Sequence, residues 1–152
     1  MTTKITLRPG RPADAPACAA ILNAWIDATD WMPRCHPPED VERYHREVVL
    51  VDRACTLADL IGEVVGFIAI DTRTALVTAL YLARKHRCKG IGTALLDHVK
   101  AAHPEGLNLW TFQANTGAQR FYLREGFAEV RRSDGDNEEG LPDILYGWGL
   151  KQ

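Results

Sequence analysis

The sequence predicts an α+β fold, an α/β three-layer arrangement in which helices flank a mixed, mainly antiparallel sheet of about seven strands. Two observations lead to this prediction. Short runs of alternating or continuous apolar residues, typical of strands, are interleaved with longer runs whose apolar residues recur every three or four positions, as on one face of a helix. The order along the chain is β-α-α-β-β-β-α-β-α-β-β, and consecutive strands combined with αβ units favour a mixed sheet covered by helices.

The N-terminal third of the chain predicts one strand followed by two helices. Residues 4–8 alternate polar and apolar side chains until prolines interrupt the pattern, as expected of a half-buried strand. Asp14 is a typical N-cap for a helix over about 15–28, whose apolar residues have helical spacing. A second helix over about 38–49 begins with a proline and two acidic residues, which suit the first turn of a helix.

The middle and C-terminal parts of the chain predict six strands and two helices. A hairpin is predicted around Ile61-Gly62, because two strand-like runs flank this pair. The proline after His103 ends the helix that begins at Gly90. The predicted elements are strands over 54–60, 63–71 and 75–82, a helix from 90 to about 103, a strand over 107–112, a helix over 116–125, and strands over 127–132 and 144–150.

Length and composition indicate one globular domain over residues 1–152. The chain has 46% hydrophobic and 25% charged residues, which are ordinary values for a soluble protein. Its net charge of −2 provides no general attraction to nucleic acid or to a membrane. The N-terminus lacks the apolar core of a signal peptide and no apolar run approaches a membrane span, so a cytoplasmic protein is expected.

The cysteines and histidines predict no metal site. The 4 cysteines are widely spaced without a Cys-x-x-Cys pair, and reduced thiols are expected in the cytoplasm. Cys35 and His36 lie near His45 in the sequence, but this spacing matches no known zinc pattern.

The segment 87–93 carries the strongest functional pattern in the chain. It follows an apolar, strand-like run and opens a helix, with Gly90 and Gly92 separated by one residue. Glycines let the backbone approach a ligand without a β-carbon in the way, and the N–H groups and dipole of a helix start favour an anion. The pattern therefore predicts a cradle for phosphate or pyrophosphate, next to a cationic cluster over 84–89 that suits the same ligand.

Two other phosphate motifs and a ligand-free turn are the alternatives for this segment. A dinucleotide fingerprint requires a third small residue at the position of Leu95, and a P-loop requires a Gly-Lys-Ser/Thr tripeptide that the chain lacks. A glycine-rich turn that connects a strand to a helix without any ligand stays open on this segment alone.

The segment 107–127 adds a second pattern. A strand-like run is followed by Asn115, a good N-cap, and by a helix with Phe121 and Tyr122 on its apolar face. Gly126 is a natural stop for this helix. Asn115 is explained equally well by helix capping and by contact with a ligand, and Tyr122 is explained by packing or by chemistry.

Taken together, the two segments resemble the GNAT superfamily of acetyl-CoA-dependent N-acetyltransferases. The resemblance rests on Arg-x-x-Gly-x-Gly in the first segment and on Asn-x-x-Ala-x-x-Phe-Tyr-x-x-x-Gly-Phe in the second, in this order and with a strand between them. It covers about residues 5–150, and its specific part is 76–127. It implies a GNAT-like fold, acetyl-CoA as co-substrate without a metal, and direct attack of an amine on the thioester in a ternary complex.

The resemblance also implies roles for individual residues. Backbone amides of the glycine turn bind the pyrophosphate, and a strand edge pairs with the pantetheine arm of the cofactor. The residues implied for the cofactor are Leu80, Tyr81, Leu82, Arg87, Cys88, Lys89, Gly90, Ile91, Gly92, Thr93 and Asn115. Tyr122 matches the family tyrosine that acts as general acid toward the departing thiolate.

The sequence leaves the general base open. Some protein-acetylating members of the family carry a glutamate on the strand before the asparagine motif, where this chain has Trp110. The candidates elsewhere are Glu138, Glu139, Asp143 and His36, and a water relay to bulk solvent is an equal alternative.

An acidic loop over 134–139 points to the acceptor. Its carboxylates would attract a cationic amine, so a small primary amine is the predicted partner, the alternative being a merely solvated loop. Trp31 and Met32 are candidates for another wall of the acceptor site, for an interface or for core packing. The alternative functions are a protein or peptide N-acetyltransferase and a non-catalytic acyl-CoA-binding or sensing module. The oligomeric state, a homodimer included, stays open.

Overall fold

Seven strands form one sheet at the centre of the protein in the computed structural model, which describes residues 4–149. The strands are β1 (Thr6–Pro9), β2 (Ala54–Leu60), β3 (Glu63–Asp71), β4 (Leu76–Leu82), β5 (Leu107–Phe112), β6 (Ala128–Ser133) and β7 (Asp143–Trp148). Their order across the sheet is β1-β2-β3-β4-β5-β7-β6, and every neighbouring pair is antiparallel except β4 and β5, which are parallel. The predicted extension of the last strand to Leu150 lies outside the described residues.

Helices cover both faces of this sheet. They are α1 (Ala15–Ala28), α2 (Pro38–Tyr44), α3 (Ile91–Ala102) and α4 (Thr116–Arg124). Helix α2 continues into a π-helical turn at His45–Val49 and a single α-helical turn at Leu50–Asp52. Short 3-10 turns precede α1 at Pro12–Asp14 and α3 at Arg84–His86. The order of strands and helices confirms the predicted mixed, mainly antiparallel α+β fold.

The core consists of two apolar layers, one on each face of the sheet. Consecutive residues of β3 show the division, since Phe67 packs with residues of α1 and the π-turn, whereas Ile68 packs with residues of α3 and α4. Both side chains are fully buried. A strand that is buried on both faces needs apolar residues at consecutive positions, which explains the apolar run that predicts β3.

The start of α1 differs from the sequence prediction in one respect. Asp14 occupies the N-cap position, but its side chain makes no capping bond to α1. Its carboxylate instead accepts a bond from the backbone N–H of Arg11 (2.9 Å) and two bonds from the guanidinium of Arg8 (3.0 and 3.1 Å). The bidentate arginine contact is stronger than a bond to a neutral amide, which explains why the carboxylate turns away from the helix.

The sheet divides between β4 and β5. These strands pair only where Leu76 meets Asn108 and Val77 meets Leu109, and they then diverge. The pairing of β4 with β3 shifts register at the same place, where Thr78 is the extra residue of a β-bulge. A bulge bends its strand and increases the local twist, so it separates the end of β4 from β5. The gap that results is where the candidate site lies.

Candidate active site

The gap between β4 and β5 widens into a cleft of about 730 Å³. Of the residues predicted for the cofactor and for catalysis, the cleft is lined by Leu80, Tyr81, Leu82, Arg87, Cys88, Gly90, Gly92, Thr93, Asn115 and Tyr122. Lys89 and Ile91 are not part of the lining, and Ile91 lies in the core with 4% of its surface exposed. The two sequence segments, far apart along the chain, therefore meet at one cavity.

The free edge of β4 presents backbone groups to the cleft. Ala83, directly after the strand, donates its N–H to the carbonyl oxygen of Val65 in β3 (2.8 Å). Successive residues of a strand direct their peptide groups to opposite sides, so Leu80 and Leu82 direct theirs away from β3 and toward the cleft. An extended ligand with amide groups can pair with this edge as an added strand does.

The turn before α3 has the backbone shape of an anion cradle. Cys88 (φ +62°) and Gly90 (φ +82°) both adopt left-handed conformations, and Gly90 is the N-cap of α3. Left-handed residues within such a turn direct neighbouring N–H groups toward one point, and the helix start adds its own unpaired N–H groups. No atom lies within 4 Å of the place where Gly90 would carry a β-carbon, so this part of the turn is open to a ligand.

Gly92 lines the cleft and also lies where α3 packs against α4 and β4. A β-carbon at this position would lie 3.3 Å from Cζ of Phe121 and 3.6 Å from Cδ1 of Leu82. The absence of a side chain here therefore allows close packing of α3 against side chains of α4 and β4. Gly92 also lines the cleft, so its contact with a ligand stays a prediction beside this packing role.

Tyr122 forms part of the buried wall of the cleft. Only 9% of its surface is exposed, and its ring packs against Phe121, Phe127 and Tyr146. Burial raises the pKa of Tyr122 well above the ordinary value of 10, so its phenol is protonated at neutral pH and can donate a hydrogen bond. Burial likewise raises the pKa of Tyr81, which lines the same cleft from β4, to about 12.

Asn115 caps α4 and also faces the cleft. Its side-chain oxygen accepts a hydrogen bond from the backbone N–H of Ala118 (3.1 Å), which confirms the predicted cap. The residue lines the cleft as well, so capping and contact with a ligand are compatible.

Two arginines of α4 were missed by the sequence reasoning. Arg120 and Arg124 line the cleft, and the guanidinium of Arg124 lies 5.6 Å from the centre of the Phe121 ring. They are four residues apart and therefore share one face of the helix. That spacing, next to the glycine turn, is the signal that could have identified them as partners for an anion.

An aromatic row crosses the gap on the face of the sheet that α1 covers. Tyr81 contacts Trp25 of α1, with ring centres 5.5 Å apart. Trp25 contacts Trp31, and Trp31 contacts Phe112 of β5, each with ring centres 5.8 Å apart. The row holds the loop after α1 against both diverging strands. Trp31 is not part of the lining of either pocket, so its role as a wall of the acceptor site stays a prediction.

A second pocket of about 340 Å³ adjoins the cleft and shares Trp110 and Phe112 with it. The β6–β7 loop contributes Asp136, Asn137 and Glu139 to its lining. The remaining lining residues are Arg131, Ser133 and Asp143. Part of the predicted acidic loop therefore does form a wall beside the cleft.

The structure separates the candidates for the general base. Glu139 and Asp143 line the second pocket, whereas Glu138 and His36 contact each other outside the lining of both pockets. Burial is the main cause of the raised pKa of Tyr81, and the negative charge of Glu139 is the second cause. Glu139 lies beside the cleft, because its pocket shares Trp110 and Phe112 with the cleft.

Asp143 is held more tightly than Glu139. It is buried, and its carboxylate accepts hydrogen bonds from the hydroxyl of Ser133 (2.5 Å) and the side-chain amide of Asn137 (3.1 Å). Asn137 also donates to the carbonyl oxygen of Leu141 (2.7 Å). These bonds fix the β6–β7 loop above the pocket and occupy both oxygens of Asp143.

Comparison with known proteins identifies the family. The chain matches the model of the acetyltransferase (GNAT) family over residues 21–127. The chain belongs to the GNAT acetyltransferase family. A relative, the peptidyl-lysine N-acetyltransferase YiaC of Escherichia coli (strain K12), is 30% identical over an alignment of 149 residues that covers 93% of this chain and 97% of that protein. The chain is thus an acyltransferase enzyme, as the sequence resemblance predicts.

Solved structures share the GNAT fold of this chain. Apo-form YjaB from Escherichia coli matches with a TM-score of 0.77 at 24% identity, over 97% of this chain and 99% of that one. A PaiA N-acetyltransferase from Thermoplasma acidophilum, solved in complex with coenzyme A, matches with a TM-score of 0.70 at 18% identity, over 97% of this chain and 99% of that one. GNAT acetyltransferases use acetyl-CoA as the acetyl donor.

Residues 4–149 contain neither a helix long and apolar enough to span a membrane nor a metal-holding cluster of three or more His, Cys, Asp or Glu side chains. The cysteines are free thiols. Cys18 and Cys55 are buried, and Cys35 and Cys88 are exposed.

Proposed function

We propose that this GNAT enzyme transfers the acetyl group of acetyl-CoA to the nitrogen of a small primary amine, by direct attack within a ternary complex. The observation that carries the proposal is the junction of two cavities, since the cleft with its anion cradle and Tyr122 opens beside a pocket lined by carboxylates. Two substrates can be bound side by side there. The activity is assigned to a single domain over residues 1–152 and to the cytoplasm, where free thiols stay reduced.

The cleft fits acetyl-CoA along its length. Backbone N–H groups of the 87–93 turn suit the pyrophosphate, and the edge at Leu80 and Leu82 suits the amides of the pantetheine arm. Arg120 and Arg124 add positive charge for the phosphates. The proposed cofactor-binding residues are Leu80, Tyr81, Leu82, Arg87, Cys88, Lys89, Gly90, Ile91, Gly92, Thr93 and Asn115, with Lys89 and Ile91 acting through their backbone.

Tyr122 is the proposed general acid. As the bond between the carbonyl carbon and sulfur breaks, negative charge develops on the sulfur. A protonated phenol in the wall of the cleft can donate to that atom, and the raised pKa of Tyr122 keeps the phenol protonated until the sulfur gains charge. The phenol then regains its proton from water.

Glu139 is the proposed general base. An amine attacks only in its neutral form, so the bound ammonium must lose a proton. Glu139 lines the pocket beside the cleft, and its carboxylate is free of the bonds that occupy Asp143. Glu139 can accept the proton directly or through one water and release it to solvent at the mouth of the pocket.

A peptidyl lysine is the second candidate acceptor. The relative YiaC is a peptidyl-lysine N-acetyltransferase at 30% identity, and a lysine side chain also presents a primary amine. Trp110 of β5 lines both cavities. A lysine side chain that enters through the second pocket would therefore reach the cleft past Trp110. The two acceptors are therefore compared in the same experiment.

The proposal is tested by thiol release from acetyl-CoA with a panel of small primary amines and lysine peptides, with products confirmed by mass. Glu139→Gln should lower kcat/KM by about 10²–10⁴-fold at neutral pH and leave CoA affinity unchanged. Glu138→Gln is the matched control and should keep activity, because Glu138 is exposed and contacts His36 instead. Acetylation of peptides alone, with no small amine accepted, would replace the first candidate by the second.

A further inference from the structure

We propose that the second pocket selects an acceptor that carries a carboxylate as well as the reacting amine, the chemistry of a free amino acid, and that Arg131 binds this carboxylate. Such an acceptor presupposes the acetyl transfer proposed above. The assignment adds a specificity residue on β6, outside the segments that bind the cofactor.

Strand register explains why one pocket collects these side chains. Two rows of paired residues cross β5, β7 and β6: Trp110, Leu145 and Arg131 in the first row, and Phe112, Asp143 and Ser133 in the second. Paired residues of neighbouring strands project from the same face of a sheet. The pocket is therefore built on three adjacent strands, and Arg131 reaches across β7 to the ring of Trp110.

Arg131 has a guanidinium that is available to a ligand. It stacks on Trp110 at 5.0 Å from a ring centre. Between residues 4 and 149, no carboxylate lies within ion-pair distance of it, although acidic side chains line the same pocket. Arg132 differs, because Glu129 binds it through two bonds of 3.0 Å. A stacked guanidinium keeps its N–H edge free, and that edge matches a carboxylate in bidentate geometry.

The β6–β7 loop brings negative charge to the same pocket. Asp136 and Glu139 line it, and neither forms an ion pair within the described residues. A purely cationic acceptor would be attracted by these carboxylates but repelled by Arg131, and a purely anionic acceptor would meet the reverse pattern. A dipolar molecule satisfies both kinds of charge, with its amine toward Glu139 and its carboxylate toward Arg131.

The size and the floor of the pocket restrict the acceptor further. A volume of about 340 Å³ suits a small molecule. Trp110 and Phe112 offer aromatic surface to whatever side chain the acceptor carries. Amino acids with an apolar side chain are therefore the expected class.

Matched acceptors test the assignment. The wild-type enzyme is assayed with leucine, leucinamide and 3-methylbutylamine, and with the corresponding phenylalanine series, so that the amine is kept while the carboxylate is neutralised or removed. Rates are compared as full pH profiles, because the three amines differ in pKa. We expect kcat/KM for the amino acids to exceed that for the amides by about 10- to 100-fold, the range for a hydrogen-bonded charged group.

Arg131→Gln provides the specific readout. It should raise KM for the amino acid by about 10- to 100-fold with little change in kcat, and it should leave the amide almost unaffected. Arg131→Lys keeps the charge but not the bidentate geometry. Its KM for the amino acid should therefore lie between the values of the wild-type enzyme and of Arg131→Gln. Arg132→Gln is the matched control and should change neither acceptor. An unfolding temperature close to that of the wild-type enzyme shows that a variant keeps the fold.

Three outcomes would overturn the assignment while leaving acetyl transfer intact. The first is equal use of acid and amide by the wild-type enzyme, and the second is equal loss of both acceptors in Arg131→Gln. Acetylation of lysine peptides with no dependence on Arg131 would likewise remove the carboxylate site. Failure to acetylate every amine and peptide would instead reject the proposed function.

Discussion

Tyr122 belongs both to the core and to the cleft. Removal of its hydroxyl alone separates its packing role from its proposed role in catalysis. We expect Tyr122→Phe to keep the ring contacts with Phe121 and Phe127, so stability and CoA affinity should stay near wild type. As the proposed general acid, the phenol should matter most as the sulfur gains charge, so kcat should fall by about 10²–10⁴-fold, the usual range for general acid catalysis. Steady-state kinetics with both substrates varied measure this loss.

Tyr146 offers a matched control for that substitution. Its ring centre is 6.3 Å from that of Tyr122 in the same aromatic cluster, yet it does not line the cleft. Tyr146→Phe should therefore leave kcat unchanged. Wild-type kcat in the Tyr122 variant, under conditions where chemistry limits the rate, would leave that residue as a core residue only.

At the scale of single residues, the sequence could predict positions that belong to a local motif. Asn115 and Tyr122 stand at set distances within one helix, and the structure has both on the cleft. Arg131 could not be found in this way, and the spacing of Arg120 and Arg124 indicates only that they share one face of a helix. Arginines are common on protein surfaces, and only the packing of distant strands and helices shows which of them face a cavity.

At the scale of the element, the contact between α3 and α4 depends on Gly92. We expect Gly92→Val to destabilise the protein by about 1–3 kcal/mol, because the branched side chain would overpack against Phe121 and Leu82. Both neighbours line the cleft, so CoA affinity should fall as well. Thermal unfolding and calorimetric titration with CoA measure the two effects.

Gly92→Ala is the matched comparison. Its single methyl would sit at 3.3 Å from Phe121, and the better helix propensity of alanine, about 1 kcal/mol, offsets part of the crowding. We therefore expect only a small change in stability. A valine variant as stable as wild type, with unchanged affinity, would show that α3 can move away without cost.

The hairpin between β2 and β3 is strained at Ile61. Ile61 (φ +50°) and Gly62 (φ +84°) both have positive φ, as a two-residue turn of type I′ requires, and the isoleucine is 92% exposed. A β-branched residue is costly in this conformation, whereas asparagine adopts it readily. Ile61→Asn should raise stability by about 1 kcal/mol, which is roughly 2–4 °C in unfolding temperature. Ile61→Val keeps the branch and should bring no gain.

Strands and helices whose apolar residues recur with a clear period could be predicted from the sequence, but the details at their ends could not. The pattern of α3, with Gly90 before it, predicted the element and its start. The failed cap at Asp14 follows from a partner elsewhere, Arg8 in β1, and the π-turn at His45–Val49 packs through His45 against Phe67 of β3. Such partners are set by tertiary packing, which local patterns do not contain.

At the scale of the whole molecule, stability should fall in mildly acidic solution because of His45. The ring is 3% exposed, its Nδ1 donates to the carbonyl oxygen of Val41 (2.8 Å), and burial lowers its pKa below the ordinary 6.5. The unfolded chain therefore binds this proton more readily. The stabilisation present above pH 6.5 is lost as pH falls from 6.5 through the folded-state pKa, by up to about 1.4 kcal/mol per pH unit.

Urea unfolding between neutral pH and about pH 5 measures this loss, and His45→Gln should flatten it. Asp14 does not contribute in that window. Its bond to Arg8 lowers its pKa below 3.8, so its stabilisation persists above 3.8 and is lost only as pH falls further. An unchanged slope in His45→Gln would assign the acid sensitivity to other groups.

The overall architecture was the most predictable level. Element order alone favours a mixed sheet with helices on both faces, and the structure has that arrangement. The division of the sheet was not predictable from composition or periodicity, because it follows from one extra residue, Thr78, in the pairing of β4 with β3. The second pocket was equally hidden, since it depends on the register of β5, β7 and β6.

The free edge of β4 also allows binding in the cleft to be measured from the exchange of the strand's own amides. The amides of Leu80 and Leu82 face the cleft, whereas the amide of Tyr81 between them faces β3. In hydrogen–deuterium exchange, the two leucine amides should exchange fast in the free enzyme and slow down when CoA is added, while the Tyr81 amide stays protected throughout. Occupancy of the cleft can thus be read amide by amide, with the internal reference one residue away and without a label or a reaction.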